Sequence, residues 1–279
     1  MKVFEQPAEF RNHILRLKAE GKTIGLVPTM GALHPGHLSL LSQAIAENDV
    51  SVASIFVNPL QFNNREDLAL YPRTVAQDLA MLEHAGCNLA LLPSAESMFE
   101  KETKITLDFG ALTHELEGKY RPGHFTGVGV VVAKLLNMTW PDKAYFGLKD
   151  LQQCAVIQML VQDLGFPVSL RFVETERESD GLAMSSRNQR LSASGRQKAA
   201  LIYKTLNQIK QDLKNRLFSE VKIDGLKTLN AAGILEVEYL ELVNFETMLP
   251  ILKPELGNSS VICMAAWVDD VRLIDNIFV

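Results

Sequence analysis

The first segment of the chain changes from helical to strand spacing of its apolar residues and back again. Residues 7–20 are amphipathic and predict a helix, and residues 23–27 form a short apolar run that predicts a buried strand. Pro28 is expected to end that strand. After a turn of small residues, apolar side chains recur at helical spacing over residues 38–45. The segment therefore predicts strand, loop and helix in succession.

The same alternation of strand and helix continues to about residue 173. Short apolar runs predict strands at residues 50–57, 89–92, 143–146 and 168–173, and helical periodicity predicts helices at residues 75–85, 123–137 and 150–164. Strands that alternate with helices predict a parallel sheet covered on both faces. Ligands of such sheets bind beyond the carboxyl ends of the strands, so function is sought there.

The pattern changes beyond about Arg177. Residues 192–217 predict one long helix, and LEVEYLEL at residues 235–242 alternates like a half-exposed strand. The apolar runs near the end of the chain, at residues 261–268 and 271–277, predict further short strands or a hairpin. We therefore predict an α/β fold with a second, smaller α+β domain.

The predicted boundary gives domains at residues 1–176 and 177–279. A chain of 279 residues with 47% hydrophobic residues is long enough for one large and one smaller core. Its formal charge of -5 argues against nucleic acid as a partner.

The absence of an apolar leader and of any 18-residue uncharged run predicts a cytoplasmic protein without a membrane span. The three cysteines are scattered through apolar surroundings, which predicts buried thiols.

The sharpest local signal is His34-Pro35-Gly36-His37, where the first loop becomes a helix. A helix amino terminus offers backbone N–H groups and positive dipole to phosphate, and two imidazoles one turn apart add donors. A pair of surface histidines at a helix cap is the simpler alternative. A zinc site that also uses His124 is a weaker one, because no carboxylate or thiol follows at ligand spacing.

Three more polar clusters follow predicted strands or the domain junction. Asn58 and Gln61 come directly after the second strand and suit a small polar substrate, although Asn58-Pro59 alone would make a turn. Lys149 and Asp150 begin a predicted helix, and Gln153 follows one turn after Lys149. A plain capped helix is the alternative for this cluster. The other cluster, DGLAMSSRN at residues 180–188, offers hydroxyls and a guanidinium to a polyphosphate, or is a linker with a helix cap.

Other nucleotide motifs are missing or incomplete. No G-x-x-x-x-G-K-[ST] sequence occurs, and Gly127-Val128-Gly129 has no third glycine at dinucleotide-binding spacing. No G-x-S-x-G nucleophile motif occurs either.

Taken together, the clusters resemble the pantothenate synthetase (pantoate–β-alanine ligase) family, within the H-x-G-H superfamily of nucleotidyltransferases and synthetases. The segments that carry the resemblance are PTMGALHPGH, IFVNPLQF, YPRT, RPGHFTGV, FGLKDLQQ and DGLAMSSRN, in this order. They cover about the first two-thirds of the chain, and the last third has no motif of comparable strength.

The resemblance implies a Rossmann-like first domain, a smaller C-terminal domain that closes over the active site, and a homodimer. It also implies a reaction in which ATP, pantoate and β-alanine give pantothenate, AMP and pyrophosphate with Mg²⁺, through a pantoyl-adenylate. The residues expected to contact ATP are Met30, Gly31, His34, Gly36, His37, Gly147, Lys149, Asp150, Glu176, Met184, Ser185, Ser186 and Arg187.

Within that set the expected catalytic residues are His34, His37, Lys149 and Arg187. Gln61, Gln153, Asn58 and Arg121 are expected to contact pantoate or β-alanine, His124 lies in the same loop as Arg121, and Asp78 is a weaker candidate for the metal. Two other functions stay open: another adenylyl- or cytidylyltransferase of the superfamily, and a non-catalytic ATP-binding module.

Overall fold

The computed structural model describes residues 1–234, 236–255 and 259–279. Packing divides the chain into two compact units. The first unit comprises Met1–Phe109, Arg121–Leu148 and Val156–Glu174, and the second comprises Gly110–Tyr120, Lys149–Ala155 and Thr175–Val279. Two short segments of the first two-thirds of the chain thus pack with the C-terminal part, and the domain boundary after residue 176 stays a prediction.

A six-stranded parallel sheet forms the centre of the first unit. Its strands are β1 (Lys2–Phe4), β2 (Ile24–Thr29), β3 (Val50–Ile55), β4 (Leu89–Leu91), β5 (Lys143–Gly147) and β6 (Ser169–Val173). They lie in the order β1-β4-β3-β2-β5-β6. All six residues of β3 are buried, as expected for a central parallel strand with helices on both faces. The predicted α/β fold with a Rossmann-like parallel sheet is confirmed.

Helices connect the strands of this sheet. They are α1 (Pro7–Ala19), α2 (Pro35–Glu47), α3 (Arg65–Leu70), α4 (Val75–His84), α5 (Ala95–Met98), α7 (His124–Thr139) and α8 (Leu151–Asp163), while α6 (Leu116–Tyr120) lies in the second unit. Proline occupies the first turn of α1 and α2, where its missing N–H is not needed. Among the shorter elements, β1, α3, α5 and α6 were not predicted, because each is too short to show a period.

Pro28 does not end its strand, contrary to expectation. The strand β2 continues to Thr29, and Pro28 lies opposite Ser54 of β3. On its other side β2 pairs with β5 through Gly25 and Leu26, so Pro28 lies beyond that pairing. The missing N–H of Pro28 therefore removes no hydrogen bond from the pairing of β2 with β5.

The second unit contains a three-stranded antiparallel sheet and two long helices. Its elements are α9 (Ala193–Asp212), α10 (Phe218–Ala231), β7 (Glu236–Asn244), β8 (Ser260–Val268) and β9 (Val271–Phe278). The predicted hairpin is present, with both turn residues, Asp269 and Asp270, at positive φ (50° and 59°) as a tight two-residue turn requires. Residue 235, the predicted start of the strand that became β7, lies outside the described residues.

The helix predicted over residues 192–217 is present as α9, which ends at Asp212 and not at residue 217, and the separate helix α10 was not predicted. The two helices pack closely: a Cβ at Gly225 of α10 would lie 2.7 Å from the side chain of Ile209 on α9. Their apolar faces contribute to one core with the antiparallel sheet.

The three cysteines are buried, as predicted. Among the helices of the described residues, none combines the length and apolar character that a bilayer crossing requires.

A nearly buried arginine joins three parts of the second unit. The Arg272 guanidinium on β9 donates hydrogen bonds of 2.7 and 2.8 Å to both oxygens of Glu117 on α6. It also donates to Oε2 of Glu238 on β7 at 2.7 and 2.8 Å. Burial lowers the pKa of Arg272, but the two carboxylates outweigh this and raise the pKa above its ordinary value. Tyr239 and Trp267 complete the network by donating to Glu117 and Glu238, respectively.

We predict that Arg272→Met lowers the free energy of unfolding of this unit by about 3–5 kcal/mol, because it leaves two buried carboxylates without their cation. Urea denaturation, followed by the fluorescence of Trp267 in a Trp140→Phe background, measures the loss.

Arg216→Met is the matched control. Arg216 faces three carboxylates, one more than Arg272, but its side chain is 40% exposed, so solvent screens these pairs and its loss should change the free energy of unfolding far less. Equal losses in the two variants would contradict the role assigned to the buried network.

Candidate active site

The two histidines of the H-x-G-H sequence lie at the amino terminus of α2. His34 is the N-cap residue, with extended backbone, and Pro35 begins the helix. The rings of His34 and His37 are stacked at a tilt of 37° with centroids 4.0 Å apart. Both side chains are half-buried. The sequence therefore places two imidazoles side by side at the positive end of a 13-residue helix.

A backbone hydrogen bond determines the tautomer of His37. The backbone N–H of His34 donates to Nδ1 of His37 at 3.3 Å. A nitrogen that accepts carries no proton, so the proton of the neutral ring lies on Nε2. The Nε2–H of His37 is therefore a hydrogen-bond donor.

The loop before His34 has an unusual backbone. Gly31 and Ala32 both have positive φ, 79° and 47°. A Cβ at Gly31 would lie 3.0 Å from Asp78 and 3.1 Å from Ile55, so a glycine is needed there for space as well as for conformation. The N–H of Gly31 donates to the Thr29 hydroxyl, which in turn donates to the Ser54 carbonyl of the neighbouring strand.

Asp78, on α4, holds this loop from behind. Its Oδ2 accepts the backbone N–H of Ala32 at 2.9 Å, and its Oδ1 accepts that of Leu33 at 2.8 Å. Thr74, from the YPRT segment, donates its hydroxyl to Oδ1 at 3.1 Å. Asp78 is only 1% exposed. Its observed contacts are with protein donors.

Asn58 and Gln61 follow β3, the strand beside β2. Asn58 is 1% exposed, and its Nδ2 donates to Oε1 of Gln61 at 3.1 Å and to the Gly127 carbonyl at 3.0 Å. Because Gln61 turns its oxygen toward Asn58, its Nε2 donor group points elsewhere. Asn58 is therefore placed to orient Gln61 from inside the fold.

A second chain of hydrogen bonds reaches Gln61 from the RPGHFTGV segment. Nδ1 of His124 lies 2.8 Å from the Gln61 carbonyl, which can only accept, and Nε2 lies 3.2 Å from Nη1 of Arg121, which can only donate. His124 is thus neutral with its proton on Nδ1. Gly127 allows the close approach, since a Cβ there would lie 2.3 Å from the Leu60 carbonyl oxygen.

A cavity of about 240 Å³ lies at the carboxyl ends of β2, β3 and β4. Met30 and Gly31 line it, together with apolar residues that follow β3 and β4; its polar lining residues are Arg73, Thr74 and Asp78. The conformation of the loop at residues 30–33 therefore shapes one boundary of this cavity.

Two candidate cations of the second unit act on Asp150. The Lys149 ammonium lies 3.2 Å from Oδ1 of Asp150. Burial raises the pKa of Asp150, but the charges of Lys149 and Arg187 outweigh it, so the pKa lies below its ordinary value. Lys149 and Arg187 therefore act on the same carboxylate. The backbone at Lys149 is held by Asn276 of β9, whose Nδ2 donates to the Lys149 carbonyl at 3.0 Å.

Residues 176–184 form a small hairpin that leads to the Ser185-Ser186-Arg187 sequence. The N–H of Met184 donates to the Glu176 carbonyl, so Glu176 contributes its backbone to this turn while its side chain is exposed. Arg177 supports the hairpin by pairing bidentately with the buried Asp275 at 2.8 and 2.9 Å. Ser185 then caps a short 3-10 helix by accepting the N–H of Arg187.

The two adjacent glutamines of α8 differ in their surroundings. Gln152 is 4% exposed and donates to the carbonyls of Leu112 and Glu115 within the second unit. Gln153 is half-buried. Gln152 is thus used within the fold, whereas the selection of Gln153 as a ligand contact stays a prediction.

Over residues 1–234, 236–255 and 259–279, no three His, Cys, Asp or Glu side chains form a group able to hold a metal. Mg²⁺ is commonly bound by one or two carboxylates, water and substrate phosphates. The protein then needs to supply only a minority of its ligands.

Sequence reasoning assigned no role to three supporting residues: Thr74, Gly127 and Asn276. Gly127 was considered as part of an incomplete dinucleotide motif and of the RPGHFTGV segment, without a role of its own, whereas it allows the close approach of α7 to the Leu60 carbonyl. Asn276 lies in a strand without any motif, and its partner is 127 residues away in the chain. No local signal could have identified it.

Comparisons with known proteins identify the family of this chain. A family model described as Pantoate-beta-alanine ligase matches residues 2–278. The pantothenate synthetase of Cytophaga hutchinsonii is 46% identical over 273 residues, which is 97% of this chain and 96% of the relative. That of Porphyromonas gingivalis is 45% identical over 277 residues, 99% of each chain.

Solved structures give the same result. The crystal structure of pantothenate synthetase from Thermus thermophilus superposes with a TM-score of 0.92 at 41% identity and covers 99% of both chains. Pantoate-β-alanine ligase from Francisella tularensis, crystallised with beta-gamma ATP and β-alanine, has a TM-score of 0.86 at 34% identity, covering 100% of this chain and 97% of its own. With this agreement along its whole length, the chain belongs to the pantoate–β-alanine ligase (pantothenate synthetase) family and is an enzyme of the ligase class.

Proposed function

We propose that this enzyme condenses pantoate with β-alanine in two steps that are driven by ATP. In the first step a pantoate carboxylate oxygen bonds to the α-phosphorus of ATP while the bond to the β-phosphate oxygen breaks, which gives pantoyl-adenylate and pyrophosphate. In the second, the β-alanine amine attacks the acyl carbon, loses a proton and displaces AMP. Family membership supports the overall reaction, and the relative crystallised with beta-gamma ATP and β-alanine supports two of its substrates.

The observation that carries the proposal is the pairing of two sites on one sheet edge in the first unit. His34 and His37 stack at the amino terminus of α2, after β2, and Gln61 follows the adjacent strand β3. A phosphate binder and a binder of a small hydroxy acid are what an adenylating step needs, because it depends on alignment and charge neutralisation.

We assign roles from the chemistry of each side chain. His37 donates Nε2–H to the phosphate that is transferred, with His34 beside it, and Lys149 and Arg187 neutralise the charge that develops on the phosphates. Gln61 and Gln153 bind pantoate, and Arg121 is the candidate for a substrate carboxylate. Asn58 contributes by orienting Gln61.

Further nucleotide contacts complete the assignment. Main-chain and side-chain groups of Met30, Gly31, Gly36, Gly147, Asp150, Glu176, Met184, Ser185 and Ser186 are proposed to bind ATP. Bound Mg²⁺ would neutralise phosphate charge, and we propose that phosphate oxygens and water supply most of its ligands. A homodimer, a cytoplasmic location and closure of the C-terminal domain during catalysis belong to the same proposal.

We predict that the protein catalyses exchange of labelled pyrophosphate into ATP when pantoate and Mg²⁺ are present and β-alanine is left out. Exchange requires that the first step runs reversibly to an enzyme-bound adenylate. Exchange that does not need pantoate, or none despite ATP binding, would favour another nucleotidyltransferase or an ATP-binding module.

His37→Ala and Lys149→Ala should each slow this exchange by at least ~100-fold, the scale expected when one stabiliser of developing charge is removed. His84→Ala and Lys227→Ala are matched controls, since both residues are exposed on helices of the same two units. Near-normal exchange in either site variant would remove that residue from the mechanism.

An adenylate must be shielded from water, so binding of ATP with pantoate should slow backbone hydrogen exchange at residues 185–188. Hydrogen–deuterium exchange mass spectrometry measures this, with the central turns of α9 as the internal reference. Equal exchange with and without both substrates would contradict closure of this loop.

A further inference from the structure

We propose that Asp78 is a positioning residue, which holds the loop at residues 30–34 and, through it, both imidazoles in the geometry that binds the ATP phosphates. This inference rests on the proposed function, because it gives the H-x-G-H sequence its role in ATP binding. It assigns to Asp78 a structural task in the first unit in place of the metal contact that the sequence suggested.

The contacts of Asp78 are built for this task. One carboxylate receives two successive backbone N–H groups, from Ala32 and Leu33, one on each oxygen, and the Thr74 hydroxyl as a third donor. Two successive N–H groups that converge on an anion form the kind of concavity known as a nest. Here the anion is part of the protein, and the residue that carries it is 1% exposed.

The loop needs such a partner because its backbone is unfavourable on its own. Ala32 has a φ of 47°, which an alanine adopts only at an energetic cost, and Gly31 before it has a φ of 79°. Without the carboxylate, two buried N–H groups would lack their acceptor and the alanine would relax toward negative φ.

The loop transmits this constraint directly to the histidines. Leu33, which is bonded to Asp78, precedes His34, the N-cap of α2. The N–H of His34 then donates to Nδ1 of His37. A shift at Leu33 would therefore move one imidazole and weaken the bond that orients the other.

The experiment compares ATP binding by the wild type and by Asp78→Asn, using calorimetry once in EDTA and once with Mg²⁺. Asparagine keeps the shape, but its NH₂ group cannot accept a backbone N–H. We expect ATP affinity to fall roughly tenfold or more under both conditions, since misplaced binding groups lose their effect over about 1 Å. A metal ligand would weaken binding only with Mg²⁺, and that result, like unchanged affinity in EDTA, would overturn the proposal.

Asp142→Asn is the matched control. Oδ2 of Asp142 accepts the backbone N–H of Ile24 at 2.7 Å and pairs with Lys18, at the amino end of the strand whose carboxyl end carries the loop. This variant should lower the melting temperature yet leave ATP affinity unchanged. An equal loss of affinity would show that general destabilisation explains the effect and would refute the positioning role.

Two further readouts keep the test decisive. In protein labelled with ¹⁵N-histidine, the Nδ1 signal of His37 should change in Asp78→Asn and stay the same in Asp142→Asn; no change would count against the proposal. If Asp78→Asn does not fold, Thr74→Val removes a single donor and should weaken ATP binding in EDTA by a few-fold, and unaltered binding would contradict the positioning role.

Wild-type protein that binds ATP without pantoate-dependent exchange would refute the proposed reaction but not the positioning role of Asp78, because the comparison of ATP affinities does not depend on the reaction.

Discussion

Parallel pairing of β2 with β3 and β5 is the constraint on which the site of the first unit depends. Parallel strands bring their carboxyl ends to one edge, and each following helix turns its amino terminus toward the same edge. His34 and His37 after β2, Gln61 after β3 and Gly147 at the end of β5 are therefore neighbours in the sheet although more than 100 residues separate the first from the last. No covalent or metal link is needed to assemble them.

Conformational precision in this unit comes from polar groups that bond to other groups of the protein. Asp78 holds a loop with two left-handed residues, Asn58 orients Gln61, and His124 connects Arg121 to the Gln61 backbone. Asp78, Asn58 and His124 are each at least nine-tenths buried and use their hydrogen-bonding groups within the protein. Buried donors and acceptors of this kind define one geometry, because any displacement leaves a polar group without its partner.

The second unit uses buried charge for the same purpose. Arg272 connects α6, β7 and β9 through Glu117 and Glu238, and Arg177 connects the hairpin at residues 176–184 to Asp275 on β9. The next residue of that strand, Asn276, holds the backbone at Lys149. One strand near the end of the chain thus supports both polar segments of this unit, although no motif marks it in the sequence.

The sequence by itself determined the α/β fold, most strands and helices, the family and the polar residues at the strand ends, because spacing, turn residues and dense motifs are local properties of the chain. Packing alone decided that β2 continues through Pro28, that α9 ends at Asp212, and that residues 110–120 join the second unit. It also decided that Asn58 and Asp78 turn inward and that Asn276 supports Lys149. These features depend on partners distant in sequence, and a local pattern carries no information about which distant group will satisfy a buried donor or acceptor.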